Sequence, residues 1–120
     1  MVRKAAKELL HIEGWLDRVD EIVERGKGAY LADALLQEAG DSLMIALGEV
    51  ANRLSRLGVL APRGVDWALS VANGNFIIHQ YDEINRTLTW LTLSVDLPEW
   101  NQSLQKLFKA AAASIEEESR

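Results

Sequence analysis

The sequence LQEAGDSLMIALGEVANRLSRL, residues 36–57, carries apolar or small residues at a regular interval. The positions seven apart are Leu36, Leu43, Val50 and Leu57, with Gly40, Leu47 and Leu54 between them. Because seven residues make about two turns of an α-helix, these positions share one helix face. The spacing predicts a long helix from about residue 30 to 57, which Gly58 and Pro62 close.

The segments on both sides of this helix have the patterns of two more amphipathic helices. The first predicts a helix over residues 4–25 from apolar residues three and four apart, which are Leu9, Ile12, Leu16, Val19 and Val23. The sequence Gly26-Lys27-Gly28 is expected to end it. After the long helix, Asp66 is placed as the N-cap of a helix from Trp67 to about Gln80.

The last third of the chain predicts two further helices. A short one covers about Asn85 to Ser94. The sequence Asp96-Leu97-Pro98-Glu99 then resembles a fresh helix start, with a capping Asp, an early Pro and a Glu three residues on. The apolar face of this helix is Trp100, Leu104, Leu107 and Phe108. The polar tail from about Ser114 is expected to fray.

The pattern as a whole indicates an all-α fold. Strand-like alternation, internal repeats and Gly/Ser linkers are absent from the sequence. We therefore expect a four- to five-helix up-and-down bundle that forms a single domain over residues 1–120.

Composition narrows the classes of function. The chain is 48% hydrophobic and 26% charged, has no apolar run long enough for a membrane span and begins without a secretory signal, so we expect a cytoplasmic protein. With no cysteine and two histidines, the sequence favours chemistry without a metal or cofactor. A net charge of −5 argues against nonspecific coating of nucleic acid, so that any contact with RNA must be local.

The segment from Asn73 to Tyr81 contains the candidate chemical groups. Asn75 and His79 are four residues apart, so on a helix they share a face and the Asn side chain could orient the imidazole. The alternative is a structural histidine at a helix end, hydrogen-bonded to a nearby carbonyl or to Asn75. Spacing alone does not choose between the two.

The order of features along the chain resembles the HepT-like branch of the HEPN superfamily. The similar segments are Leu47-Gly48-Glu49-Val50-Ala51-Asn52-Arg53-Leu54-Ser55, Val65-Asp66-Trp67, Asn75-Phe76-Ile77-Ile78-His79-Gln80-Tyr81, the run from Tyr81 through Asn85 to Trp90, and Asp96-Leu97-Pro98-Glu99. The family motif is an Arg, a polar residue, a His a few residues on and, in one subgroup, a Tyr two beyond it. Carried over, the polar residue is Asn75, the histidine is His79, the tyrosine is Tyr81, and the arginine position is Gly74.

The resemblance implies a HEPN toxin of a toxin-antitoxin pair, a metal-independent RNA endonuclease that works as a homodimer. Two motif helices would face each other across one cleft, with His79 of each chain as acid and base. In toxins with the His-x-Tyr ending, a partner antitoxin of the minimal nucleotidyltransferase (MNT) type transfers AMP to the tyrosine, here Tyr81. The missing arginine at Gly74 would weaken or disable catalysis, because it removes a stabiliser of phosphoryl charge.

A second hypothesis is a non-catalytic HEPN-like module that binds nucleotide or RNA, or that scaffolds a nucleotidyltransferase partner. Gly74 and the negative net charge favour it.

Arg86, Arg53 or Arg56 could replace the missing guanidinium from neighbouring helices. Glu38 and Asp41 neighbour each other on one helix face and could suggest a carboxylate metal site, but we expect a solvated acidic face.

Overall fold

A computed structural model describes residues 1–119, with Tyr81 described by its backbone alone. The α-helices are α1 (Arg3–Glu24), α2 (Lys27–Ala32), α3 (Ala34–Arg56), α4 (Trp67–His79), α5 (Arg86–Leu91) and α6 (Leu97–Glu118). A 3-10 turn (Tyr81–Glu83) follows α4, and a π-helical turn (Thr92–Asp96) joins α5 to α6. No strand occurs within residues 1–119, and the expected all-α HEPN-like bundle is confirmed.

The apolar stripes predicted from the sequence form the core. The buried members from the three longest helices include Leu9, Ile12, Leu16 and Val19 on α1, Leu47, Val50 and Leu54 on α3, and Leu104 and Phe108 on α6. α1 packs against both α3 and α6, so it lies between them. None of the helices in residues 1–119 is long and apolar enough to cross a bilayer.

The predicted helix over residues 30–57 was wrong at its start, because the chain breaks at Asp33. The Asp33 side chain accepts a hydrogen bond from the Leu35 backbone N–H at 2.8 Å and caps α3. The break after α1 falls at Gly26, whose φ of +89° suits glycine, whereas Lys27 already begins α2. The seven-residue interval does not reveal this interruption, since Asp33 lies just before it begins.

Helix α6 begins at Leu97 as predicted, but the expected cap at Asp96 was wrong. Asp96 has helical backbone angles, φ −66° and ψ −48°, and its side chain makes no capping hydrogen bond. The Leu97 N–H instead bonds to the Thr92 carbonyl five residues back, so helical backbone runs unbroken from Arg86 to Glu118. Pro98 has no N–H and its ring would crowd the preceding turn; the wider π turn accommodates it.

The polar tail that we expected to fray is helical to Glu118. It lies beside the start of α1, where the Ser114 hydroxyl donates to the Met1 carbonyl at 3.1 Å. The Arg3 guanidinium contacts the Glu118 carboxylate at 2.6 Å. Since this ion pair is exposed, it contributes little energy, about 0–1 kcal/mol. The burial of Ala111, Phe108 and Leu104 on the same helix holds α6 in place.

Helix α4 begins as predicted and packs closely on α3. The Asp66 side chain accepts from the Leu69 N–H at 3.2 Å and caps the helix. A Cβ placed on Gly48 of α3 would lie 2.8 Å from the Ser70 carbonyl oxygen and 3.5 Å from the Gly74 Cα. The two helix backbones therefore approach closely at a crossing that side chains would hold apart.

We expect Gly48→Ala to destabilise the fold, because its Cβ would collide with the carbonyl of Ser70. The loss should be about 1–3 kcal/mol in the free energy of unfolding, measured by urea denaturation. Gly14→Ala is the matched control, since Gly14 lies within α1 and a Cβ there meets nothing within 4 Å. That variant should gain up to about 1 kcal/mol from helix propensity. Equal responses of the two variants would contradict the close crossing.

Candidate active site

Helix α4 turns two of its three predicted site residues, Asn75 and His79, outward. Trp67, Ser70, Gly74 and Ile77 are its buried residues. Asn75 and His79, one turn apart, are both exposed. The imidazole of His79 has no hydrogen bond or ion pair with the described part of the chain, and Asn75 does not bond to it. This geometry gives no support to a structural histidine held by a carbonyl, and it leaves both imidazole nitrogens open to a substrate.

Gly74 points the other way, into the crossing with α3. A Cβ there would lie 3.4 Å from both the Ile45 Cα and the Met44 carbonyl oxygen, so the neighbours would have to give by a few tenths of an ångström. The glycine thus has a packing reason, which is the close approach of two backbones. The side chain of an arginine at this position could not extend straight toward α3 and would have to bend away from it.

A small pocket beside Gly74 has room for such a side chain. It has a volume of about 140 Å³ and lies between α3 and α4, lined by Ile45, Gly48, Glu49, Asn52, Val71, Gly74, Asn75 and Ile78. Its polar lining comes from Glu49 and Asn52 on α3 and Asn75 on α4. The sequence did not predict that Glu49 and Asn52 lie near Asn75. Gly48 and Asn52 are four apart and share a helix face, but nothing in the sequence pairs that face with α4.

The three arginines considered as substitutes do not offer a free guanidinium next to His79. Arg86 donates to both carboxylate oxygens of Asp41, at 2.6 and 2.9 Å, and these hydrogen bonds raise the pKa of Arg86 above its ordinary value despite partial burial. Arg53 likewise donates to Glu8 at 2.8 and 3.2 Å, which raises the pKa of Arg53. Both cations are therefore engaged in structural ion pairs.

Arg56 is separated from His79 by the direction of the helices. Gly48 meets Ser70 and Gly74, whereas Ile45 meets Gly74, so α3 and α4 run antiparallel. Arg56 is eleven residues from Ile45 in one direction, and His79 is five residues from Gly74 in the other. At 1.5 Å per residue the two lie about 24 Å apart along the bundle.

The Asp41–Arg86 pair also corrects our expectation of a solvated acidic face. Glu38 is exposed, but Asp41 is only 5% exposed. Beside the pair, the buried Tyr30 hydroxyl lies 2.6 Å from the Thr89 hydroxyl, which itself donates to the Arg86 carbonyl. Tyr30 is therefore the donor to Thr89. These contacts fix α5 against α2 and α3, and so anchor the far end of the connection that follows His79.

The surroundings of His79 are apolar and acidic. Leu69, Phe76 and Ile78 on α4 are each half exposed, at 54%, 50% and 51%. The sequence from Asp66 to Asn85 contains no lysine or arginine. Its ionised side chains are those of Asp66, Asp82 and Glu83, so it carries no local cation for a phosphate. Within the described residues, no three His, Cys, Asp or Glu side chains are grouped to hold a metal ion.

Tyr81, the fourth predicted site residue, begins the 3-10 turn that follows the motif helix. Its side chain lies outside the described residues. The structure thus brings Gly74, Asn75 and His79 together on one helix, with Gly74 facing inward and the other two facing outward.

Comparison with known proteins agrees with this arrangement of helices. No curated protein and no solved structure matches the chain. A family model described as "Ribonuclease HepT-like" matches residues 12–107, which include all of α3, α4 and α5 and the whole candidate site. With most of its length matched, the chain belongs to the HepT-like ribonuclease family.

Proposed function

We propose that this member of a ribonuclease family is the toxin of a toxin-antitoxin pair, a metal-independent RNA endonuclease of the cytoplasm whose activity Gly74 weakens. The observation that carries the proposal is the exposed, unpaired imidazole of His79 on the outward face of α4. A histidine in that state is available to exchange protons with a bound substrate.

The proposed reaction needs two proton transfers and a stabiliser of negative charge. A base removes the proton of an RNA 2′-hydroxyl, whose oxygen attacks the adjacent phosphorus. The bond from phosphorus to the 5′-oxygen breaks, and an acid protonates that leaving oxygen. A single His79 imidazole cannot be base and acid in the same step, so we assign the two roles to His79 from two chains. Asn75, one turn before His79, would donate hydrogen bonds to the phosphate or orient the imidazole.

The surface of α4 supports a dimer. Apart from Asn75 and His79, its outward residues are apolar or small, including Ala68, Ala72 and Phe76. A helix that is apolar on its exposed side as well as its buried side normally has a partner. A second copy packed α4 against α4 by a two-fold axis would cover these residues and bring the two His79 side chains into one cleft.

We expect the chain to sediment as a dimer at micromolar concentration, at twice its mass of 13.4 kDa. Phe76→Asp places a charge in the proposed interface and should shift the species to monomer, since a buried unpaired carboxylate is costly. Leu60→Asp is the control, because Leu60 is 87% exposed in the connection before α4 and should leave the dimer intact. A monomer without any substitution, or a dimer that survives Phe76→Asp, would rule out this interface.

Two variants that are matched for packing test the role of Gly74. Gly74→Ala and Gly74→Arg both add a Cβ at the α3 crossing, but only Gly74→Arg adds a guanidinium. The arginine side chain would extend through the pocket beside Asn75. RNA cleavage by Gly74→Arg should exceed that by Gly74→Ala by about a hundredfold, the usual worth of one charge stabiliser. Adding His79→Ala to Gly74→Arg should return cleavage to background.

The runner-up function is a non-catalytic module that binds nucleotide or RNA, or that scaffolds a nucleotidyltransferase. The absence of any Lys or Arg between Asp66 and Asn85 favours it. It would replace the nuclease proposal if Gly74→Arg folds, dimerises and leaves RNA intact. Equal cleavage by Gly74→Arg and Gly74→Ala would instead contradict the proposed role of position 74 as the place of a charge stabiliser.

We also propose that Tyr81 is the site at which an MNT antitoxin attaches AMP: the tyrosine oxygen bonds to the α-phosphorus of ATP, the bond to the β-phosphate breaks, and pyrophosphate leaves. Its backbone lies two residues after His79, in the turn that leaves the motif helix, and this closeness in the chain supports the proposal. The added phosphate would repel RNA there by charge.

Incubation with the cognate nucleotidyltransferase and ATP should add the mass of one AMP per chain. Peptide mass spectrometry should locate the AMP at Tyr81, and Tyr81→Phe should abolish it. Tyr30→Phe is a poor control because Tyr30 is buried in the core, so Ser119→Ala, which removes an exposed hydroxyl, takes its place. Modification of a different residue would refute this mode of regulation.

A further inference from the structure

A groove runs between α4 and the helical segment from α5 to α6. Within residues 1–119, α4 packs along α3 but not along α5 or α6, and it meets α6 where the rings of Trp67 and Trp100 have centroids 6.0 Å apart. Two pockets, with volumes of about 260 and 200 Å³, lie in the space between these helices. Both are lined by Met44, Asn73 and Thr92, so they are continuous with each other.

The groove is apolar, and its rim is open to solvent. Leu47 and Leu97 line the first pocket, and Ile77 and Ile84 line the second. Large apolar side chains that are at least half exposed stand on both sides, namely Leu69 and Phe76 on α4 and Leu88 on α5. Adjoining exposed apolar groups of this kind mark a contact surface. The groove therefore suits the apolar side chains of another molecule.

The two pockets lie one helical turn apart. Along α4, the lining of the first pocket extends from Leu69 to Asn73 and that of the second from Asn73 to Ile77, so the second is displaced by four residues. At 1.5 Å per residue this displacement is about 6 Å, which is the rise between positions i and i+4 of an α-helix. A cavity of about 150 Å³ can hold a benzene ring, so each pocket has room for one large apolar side chain.

The ionised groups of the groove are acidic. Asp96 and Glu99 line the first pocket and Glu83 lines the second, and no lysine or arginine of the described chain lines either one. All three carboxylates are exposed, and none forms an ion pair within residues 1–119. They would repel an acidic helix and attract one that carries lysine or arginine beside its apolar stripe.

We propose that this groove binds an amphipathic α-helix of a partner protein. Apolar side chains four residues apart on that helix enter the two pockets, and its lysine or arginine residues face Glu83, Asp96 and Glu99. The proposal does not depend on the nuclease activity, because neither Asn75 nor His79 lines the groove. The groove borders the α4 surface that we assign to the dimer, so a second copy of the chain is the alternative occupant.

The probe is a fluorescein-labelled peptide of about 14 residues, with Leu at the helix-spaced positions i, i+3, i+4 and i+7 and Lys elsewhere. The full chain should bind it with a Kd of about 10 μM or tighter, measured by fluorescence anisotropy. Two control peptides should bind at least about tenfold more weakly: one with Glu for every Lys, and one of unchanged composition whose order gives no apolar stripe. No binding of the first peptide, or equal binding of either control, would overturn the proposal.

Paired substitutions locate the bound peptide. Leu69→Gln with Leu88→Gln places a polar side chain at each pocket and should weaken binding at least about tenfold. Leu35→Gln with Leu60→Gln is the matched control, because these leucines are 75% and 87% exposed and line neither pocket. The control should bind as the unchanged chain does. Equal losses in the two double variants would place the peptide elsewhere and refute the groove as its site.

Sedimentation separates a partner helix from a second copy of this chain. Leu69→Gln with Leu88→Gln should have the same oligomeric state as the unchanged chain, because a groove reserved for a partner stays open between copies. A shift of this variant from dimer to monomer would mean that a second copy covers the groove, and it would overturn the proposal.

Discussion

The close approach of α3 and α4 determines the rest of the site. Gly48, Ser70 and Gly74 let the two backbones pack without intervening side chains. That contact buries the inner face of α4. It leaves the residues of the opposite face exposed, including Asn75, Phe76 and His79. A Cβ on Gly48 would collide with the Ser70 carbonyl oxygen, so a larger residue there would change the separation of the two helices. Packing and chemistry therefore depend on the same few atoms.

Much of the fold followed from residue spacing. The stripes on α1, α3 and α6 predicted helices because a buried face must repeat every three or four residues. The Asp66 cap and the end of the long helix at Gly58 were also predicted, since these signals are local and their chemistry is the same in any fold. The break at Asp33, which was missed, and the cap at Asp96, which does not form, depend on competition between capping and continued helix. The sequence alone does not predict whether the helix ends or continues at such a residue, because tertiary packing contributes to the outcome.

Within the candidate site, the sequence predicted only the relations between residues of the same helix. Asn75 and His79 share a face by their spacing alone. The partners of Arg86 and Arg53 are 45 residues away along the chain, so no local pattern reveals that both guanidinium groups are already bound to carboxylates. The same holds for Gly74: its identity looked like a loss of function, and its contact with α3 supplies a structural reason as well. Long-range pairing was the missing information in each case.

The pairing of α1 with α6 has a practical consequence for work on this protein. Arg3 and Glu118 touch, so the first and last turns of the described chain lie side by side. Glu8, near that start, reaches Arg53 at the end of α3, whereas His79 lies toward the opposite end of α3, where Ile45 meets Gly74. A fluorescent label, affinity tag or fused reporter attached beside Arg3 or Glu118 would thus project from the end of the bundle remote from His79. Handles for immobilisation or imaging can be attached there without obstructing the motif helix.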